Sequence, residues 1–376
     1  MKVKLESFLQ EVSEKTTENN QYPVLTSSKA GLYLQSDYFN KQVASKDNTG
    51  YKIIKRGQFT YRAMSDTGEF FPNMLDCADI GIVSPAYPVF EIAKPIIIPD
   101  FLKYYFKSNE FQQSIASFAQ GSTRTSIKYG KLKTVLMELP DLKEQQKYIE
   151  ILDTAQKIIN DRKRELEKLD ELIKARFVEM FGNLRMNTKG WSVKTFDKLS
   201  YLITDGEHST PRRITQGVYL LSARNILNHS LQLEDVDYID KEEYERIAKR
   251  VVPQEGDVLI SCSGTVGRCC SVPAGVKFQM VRSVALIRFK EEINHVFAEY
   301  MITSDYLQEQ IKGSQTVSAQ ANLFQGKIKA LKGFVPPIEL QKQFADFVNQ
   351  VDKSKVIDTN IIPEGGFYYG NKFFIS

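Results

Sequence analysis

The chain has 376 residues, 42% of them hydrophobic, with 50 basic against 46 acidic side chains. This length is sufficient for two or three domains with hydrophobic cores, and a net charge of +4 is too small to indicate nucleic-acid binding by itself. The four cysteines show neither a disulfide framework nor paired zinc-ligand spacing, and no stretch approaches 18 apolar residues. We therefore expect a cytoplasmic protein without a membrane span.

Residues 1–138 are predicted to form a first domain that mixes helices and strands. Its opening, Met1 to Lys15, is compatible with a strand or a helix, and YKIIKRGQFTYRA alternates apolar and polar residues as a half-buried strand does. The segment FLKYYFKSNEFQQSIASFA has aromatic and apolar residues at helical spacing. We expect one helix there, with its apolar face packed in the core.

Residues 139–182 predict one long helix. It begins just after Pro140 and is followed by Gly182, which are typical boundary residues. Apolar positions recur at steps of three and four, as in the seam of a coiled coil. The seam positions are Leu152, Ala155, Ile159, Arg162, Leu166, Leu169, Ile173, Arg176 and Met180, and the two arginines among them weaken the seam without ending it. At 1.5 Å per residue the helix is about 60 Å long, which favours a spacer between domains.

The second half of the chain repeats the order of the first. At a constant offset of 196 residues, Pro140 corresponds to Pro336, Gln145 to Gln341 and Phe101 to Phe297. The repeat predicts a second domain at 183–335 and a second helix at 336–356. The fold class is therefore α+β, with two pseudo-repeated α/β domains that are separated by the long coiled-coil helix.

The second helix differs from the first in its length. Residues 357–376 form an irregular tail, because Pro363, Gly365 and Gly366 prevent a continuous helix. We predict a truncated second helix. The distal half of the first helix, Asp161 to Phe181, would then expose its seam and be able to associate with a second copy of the chain.

Motifs that carry chemistry are not found. SGTVGR, at 263–268, lacks the form of a phosphate-binding loop, and its two glycines are better explained by a tight turn that exposes Ser263, Thr265 and Arg268 at a rim. His208 lies near two acidic residues, but the spacing of a metal site is missing. We expect no catalytic, metal or cofactor residues in this chain.

Basic and polar residues gather near strand ends at comparable places in the two domains. Such side chains suit base edges and phosphates, although any one of them alone is most simply a solvated surface residue. The candidates for DNA binding in the first domain are Lys29, Tyr33, Arg56, Tyr61, Arg62, Arg124, Thr125, Lys128 and Lys131. Those in the second are Arg212, Arg213, Arg224, Ser263, Thr265, Arg268, Gln315, Gln320, Asn322 and Lys327.

From about residue 20 to 355 the chain resembles the specificity subunit of type I restriction-modification systems. The resemblance is carried by the paired segments LPDLKEQQKYIEIL and VPPIELQKQFADFV and by TDGEHSTP, EGDVLISCSGTVGR and FAEYMITSDYLQEQI followed by GKIKALKGFVPP. It implies that each α/β block is a target-recognition domain for one half of a split DNA sequence. Half-sites one turn apart are about 34 Å distant, a separation that a helix of about 60 Å can span.

The resemblance also implies partners. These are double-stranded DNA, methyltransferase subunits docked on the helices and a restriction subunit that translocates and cleaves DNA. The methyl donor, ATP and Mg²⁺ would then belong to the partner subunits, and this chain would be a non-catalytic subunit. No membrane partner is expected.

Three other hypotheses remain open at this stage. The atypical C-terminus is compatible with a truncated or silent allele of such a subunit. The repeated domains are also compatible with a non-catalytic scaffold that binds protein or glycan. A third hypothesis is a stand-alone enzyme, such as a nuclease whose site the sequence does not reveal.

Overall fold

The computed structural model describes residues 2–38, 47–118, 125–314 and 322–359. These residues form two compact units, which we call the first module, ending at Arg162, and the second module, beginning at Lys163. The division falls inside one unbroken 40-residue helix, Leu142–Phe181, which confirms the predicted long helix. Within the described ranges no helix is long and apolar enough to cross a membrane.

The first module contains twelve short strands within its described residues. They are β1 Lys2–Lys4, β2 Leu9–Val12, β3 Leu25–Ser27, β4 Leu32–Leu34, β5 Lys52–Lys55, β6 Phe59–Thr60, β7 Met64–Ser65, β8 Asn73–Met74, β9 Ile80–Val83, β10 Val89–Ile92, β11 Thr125–Ser126 and β12 Leu136–Glu138. Its helices are α1 Gln35–Tyr38, α2 Pro99–Tyr105, α3 Asn109–Ala116, α4 Tyr129–Leu132 and the first part of α5 Leu142–Phe181. A 3₁₀ turn, Leu5–Ser7, joins β1 to β2, so the opening of the chain consists of strands.

The second module contains eleven strands within its described residues. They are β13 Ser192–Thr195, β14 Ser200–Asp205, β15 Val218–Leu221, β16 Ile226–Leu227, β17 Ser230–Leu231, β18 Asp237–Ile239, β19 Val258–Ser261, β20 Cys269–Ser271, β21 Phe278–Met280, β22 Val284–Phe289 and β23 Lys332–Val335. Its helices are α6 Phe196–Leu199, α7 Lys241–Ala248, α8 His295–Thr303, α9 Asp305–Ser314, α10 Gln325–Ala330 and α11 Ile338–Thr359. A 3₁₀ turn, Ala223–Asn225, follows β15.

The central sheet has the same topology in both modules. It is antiparallel with the order β2-β10-β6-β8 in the first module and β14-β22-β19-β20 in the second. The strand that precedes each long helix also pairs with the opening strand of its module, β12 with β1 and β23 with β13. The duplication inferred from the sequence is therefore confirmed in the strand pairing.

A buried glutamine holds the start of each module's long helix in the same way. The Nε2 of Gln145 donates to the carbonyls of Ile96 and Pro140 at 3.0 and 2.9 Å, and its Oε1 accepts from the Ile98 N–H at 2.8 Å. Gln341 makes the equivalent three hydrogen bonds, to Glu292, Pro336 and Asn294, at 3.0, 2.8 and 2.9 Å. Both side chains are 0% exposed. The paired glutamines of the sequence repeat are thus structural.

The helical segment of each module is broken in two by an equivalent serine. Ser108 separates α2 from α3, and its hydroxyl oxygen accepts from the Phe111 N–H at 3.2 Å as an N-cap. Ser304 separates α8 from α9. The prediction of one continuous helix in the first module was wrong, because the Ser108 hydroxyl caps the start of a second helix. In the second module the Ser304 hydroxyl donates to the Met301 carbonyl at 2.6 Å. The predicted core face is confirmed, with Phe101, Phe111 and Ile115 buried.

The distal half of α5 is covered within the second module. Ile173, Phe177 and Phe181 are buried, and the rings of Phe177 and Phe181 lie 5.4 and 5.5 Å from the ring of Phe344 on α11. Near the end of α11, the Lys355 Nζ donates to Asp170 at 2.7 Å. The expectation of an exposed seam from Asp161 to Phe181 was wrong, and self-association through it loses its basis. Residues 360–376 lie outside the described part.

Candidate nucleic-acid interface

Among the described residues, each module has an open cavity at an equivalent position. The cavity of the first module measures about 710 Å³ and that of the second about 620 Å³. Three segments frame each of them: the residues that end or follow β3 or β15, the loop after β6 or β19, and the turn before β10 or β22. The sequence repeat alone did not indicate which of the variable loops meet.

Hydrogen bonds confirm that these frames are equivalent. The turn before the central strand is closed by a bond from Tyr87 N–H to Ser84 C=O at 2.9 Å, and in the second module from Val284 N–H to Val281 C=O at 3.0 Å. On the opposite side, Ile127 N–H donates to Ala63 C=O and Leu323 N–H to Cys262 C=O, both at 2.9 Å. The same scaffold therefore presents different side chains in the two modules.

The cavity of the first module carries cations that are already compensated. Lys29 Nζ lies 3.2 Å from Glu69 Oε1, and Arg62 Nη2 lies 3.8 Å from Asp66 Oδ2. Tyr87 is half-buried in the wall, and this burial raises the pKa of its hydroxyl. Opposite charges in close pairs leave little net potential, so hydrogen bonding and apolar contact dominate this cavity.

The cavity of the second module is bordered by the loop 262–268, which Ser261 organises. The Ser261 hydroxyl is buried, donates to the carbonyl of Thr265 at 2.6 Å and accepts from the Arg268 N–H at 3.0 Å. Gly264 and Gly267 have φ of +70° and +92°, the region in which glycine is favoured. The predicted tight turn is confirmed, and Ser261 is an organiser that sequence reasoning missed.

Ion pairs form a network beside the second cavity. One oxygen of Asp205 lies 2.8 Å from the His208 Nε2, and the other lies 2.7 Å from an Arg250 nitrogen. Asp237 forms ion pairs with Arg213 and Arg224 at 2.9 and 3.0 Å. Hydrogen bonds from Ser209, together with the charge of Arg246, lower the pKa of Glu207.

Burial raises the pKa of the Cys262 thiol in the cavity wall to about 12, so this thiol stays protonated at neutral pH.

The turn Val281–Val284 forms another side of the second cavity, with Arg282 at its second position. Gly206 packs against this turn so closely that a Cβ would lie 2.4 Å from the carbonyl oxygens of Met280 and Val281. Arg282 is exposed and lines the cavity. Sequence reasoning missed Arg282, although its place just before the clear strand VALIRF was a usable signal.

The structure brings only part of the predicted set of the first module to its cavity. Lys29 and Arg62 line the cavity. Tyr61 is a correction, because its side chain is 0% exposed and its hydroxyl donates to the Ile127 carbonyl at 3.0 Å, so it belongs to the core. The candidates placed elsewhere on this module are Tyr33, Arg56, Thr125, Lys128 and Lys131. Arg124 lies outside the described residues.

In the second module, three predicted residues line the cavity. These are Arg224, Ser263 and Asn322, the last two joined by a β-bridge. Residues that are outside the cavity lining are Arg212, Arg213, Thr265, Arg268 and Lys327. Arg212 forms an ion pair with Asp240, and Arg213 pairs with Asp237. Gln315 and Gln320 lie outside the described part of the chain.

Comparisons with known proteins agree with this architecture. The chain matches no curated protein. A chain from a structural study of complex assembly and conformational transition in the type I R-M system is 15% identical, with a TM-score of 0.55, over 96% of this chain and 93% of that one. The type I restriction-modification system S subunit from M. genitalium is 13% identical, with a TM-score of 0.51, over 96% and 91%. At these identities the likeness shows the fold alone.

A family model also matches the chain. The model of the type I restriction modification DNA specificity domain matches residues 6–168 and 214–364, one segment for each half of the chain. These segments cover well over half of the sequence and include the framing loops of both cavities. The chain therefore belongs to the family of type I restriction-modification DNA specificity domains, whose members recognise DNA sequence.

Proposed function

We propose that this chain reads a bipartite double-stranded DNA target, one half with each module. The observation that carries the proposal is the occurrence of two cavities framed by the same three segments in one chain. A duplicated scaffold with different rim residues is suited to two independent half-sites. Arginine, asparagine and serine on such rims are side chains that hydrogen-bond base edges in the major groove.

The proposal assigns the remaining steps to partner subunits. Methyltransferase subunits dock on the long helices, a restriction subunit that translocates and cleaves DNA joins them, and the methyl donor, ATP and Mg²⁺ are bound by those partners. This chain contributes recognition only and acts in the cytoplasm. The packing of α11 on the distal half of α5 supports a functional subunit rather than a truncated and silent allele.

Co-expression of the chain with its methyltransferase, followed by mapping of methylated bases in host DNA, tests the proposal. We expect one methylated motif with two specific halves and an unspecific spacer. Expression of the methyltransferase without this chain is the control and should yield no such motif. A continuous motif would overturn the assignment of one half-site to each module, and the absence of any motif would overturn the proposed function.

A further inference from the structure

Arg282 differs from the other arginines around the second cavity because its guanidinium has no ion pair or hydrogen bond within the described part of the chain. Arg213 and Arg224 are held by Asp237, and Arg250 by Asp205. Asp205, which lines the cavity, and Asp237 are therefore already engaged. Arg282 is left as a cation at the cavity wall that no described carboxylate compensates.

The backbone of Arg282 is fixed although its side chain is not. The Arg282 N–H donates to the Glu207 carbonyl at 3.0 Å, and the turn is closed by the bond from Val284 to Val281 at 3.0 Å. The following residue, Ser283, accepts from the Cys262 N–H at 2.7 Å through its carbonyl and from the Ala223 N–H at 3.1 Å through its hydroxyl. These bonds tie the turn to both of the other segments that frame the cavity. The guanidinium thus starts from a preorganised position, which lowers the entropy cost of binding.

The surroundings of Arg282 favour a base over a phosphate. Phosphate sites gather several free cations or backbone N–H groups, whereas the wall here adds neutral polar residues, Ser263 and Asn322, next to one uncompensated cation. A guanidinium matches the O6 and N7 acceptors of guanine with two parallel hydrogen bonds. We infer that Arg282 determines specificity by reading a guanine in the half-site of the second module.

The equivalent position of the first module makes the inference asymmetric. The turn Ser84–Tyr87 corresponds to Val281–Val284, and its second residue is Pro85, which has no hydrogen-bond donor in its side chain. The cavity cations of that module, Lys29 and Arg62, are both paired with carboxylates. Only the half-site of the second module should therefore depend on this contact.

This inference rests on the proposed function, and one selection experiment separates the two. The full chain, co-purified with its methyltransferase, is allowed to bind a pool of DNA duplexes with randomised sequence, and the bound duplexes are sequenced. Arg282→Ala removes the cation, and Arg282→Lys keeps the charge without the planar fork. Lys249→Ala is the matched control, because Lys249 is an exposed cation of the same module that does not line the cavity.

We expect one guanine of the second half-site to lose its preference in both Arg282 variants, by on the order of 10-fold to 100-fold, while the rest of the motif is kept. Arg282→Lys should keep more of the overall affinity than Arg282→Ala. Lys249→Ala should leave the motif unchanged. Each variant should unfold thermally at the same temperature as the wild type, which excludes a folding defect. No such defect is expected for the Arg282 variants, because the Arg282 side chain has no described partner to lose.

Two results would overturn the inference. One is an equal loss of affinity for all DNA sequences, together with a slope of log affinity against log salt concentration that is reduced by about one. This result would identify a phosphate contact. The other is an unchanged motif in both Arg282 variants. If the wild-type complex selects no motif, the proposed function itself fails, and the inference fails with it.

Discussion

The two modules share their internal hydrogen bonds and differ in the charges at their cavities. Gln145 and Gln341 make the same three bonds to the backbone, and the central sheets have the same strand order. At the cavities, Lys29 and Arg62 of the first module face carboxylates, whereas Arg282 of the second faces none that is described. Duplication therefore preserved the groups that specify the fold and left the rim free to diverge.

The glutamines at the helix starts test whether the scaffold is energetically the same in both modules. Gln145→Ala and Gln341→Ala should each lower the free energy of unfolding of the affected module by about 3 kcal/mol, because three backbone groups lose a buried partner. Urea unfolding measures both, and fluorescence of the single tryptophan, Trp191, reports on the second module. Gln343→Ala, at an exposed position of α11, should change stability by less than about 0.5 kcal/mol. A large difference between the losses of unfolding free energy in the two glutamine variants would contradict the equivalence of the two modules.

Gly206 tests how the turn that carries Arg282 is held in the second module. A Cβ at Gly206 meets backbone oxygens at 2.4 Å, so Gly206→Ala should destabilise the second module by about 2 kcal/mol and displace the turn that carries Arg282. We expect weaker discrimination in the second half-site and an unchanged first half-site. Gly326→Ala is the control, since nothing lies within 4 Å of its Cβ position. Unchanged stability and binding in Gly206→Ala would contradict this account of the turn.

Tyr61 tests the difference between the two cores. Burial raises the pKa of Tyr61, and its hydroxyl satisfies the Ile127 carbonyl, while the equivalent strand of the second module has the apolar Ile260. Tyr61→Phe should cost about 1 kcal/mol of unfolding free energy, because that carbonyl loses its partner. The DNA motif should not change. Tyr87→Phe is the matched control for stability, because the wild-type Tyr87 hydroxyl has no described hydrogen bond. A changed motif in Tyr61→Phe would argue for a role in recognition.

Two glutamates predict pH dependences of opposite sign in the two modules. Burial, and secondarily Glu138, raises the pKa of Glu110, so its contribution to stability is present at low pH and is lost as pH rises through the raised pKa. Ser209 lowers the pKa of Glu207, so its contribution is present above the ordinary pKa and is lost as pH falls through the lowered one. These contributions are measured by comparing the urea unfolding midpoints of Glu110→Gln and Glu207→Gln with those of the wild type between about pH 3 and about pH 7. We expect each contribution to the free energy of unfolding to lie below about 1 kcal/mol. Slopes of the same sign would refute the contrast.

The sequence determined the features that depend on local pattern. Helical periodicity without a breaker predicted the continuous helix from Leu142 to Phe181, and the positions of its seam are all buried or half-buried. The 196-residue repeat predicted two modules, because identical spacing of matching residues requires the same strand pairing. The same offset aligns Gln145 with Gln341, which make equivalent contacts. Loop glycines predicted the turn at 263–268 from their conformational freedom alone.

Only the tertiary structure decided which side chains meet. Arg62 and its neighbour Tyr61 have similar sequence contexts, yet Tyr61 is buried with its hydroxyl on the Ile127 carbonyl and Arg62 lies at the cavity. Arg282 gains its significance from carboxylates that are distant in sequence and already engaged by other arginines. The cover of the distal half of α5 likewise depends on α11, far along the chain. Such contacts between remote segments set burial and charge pairing, and a local pattern does not contain them.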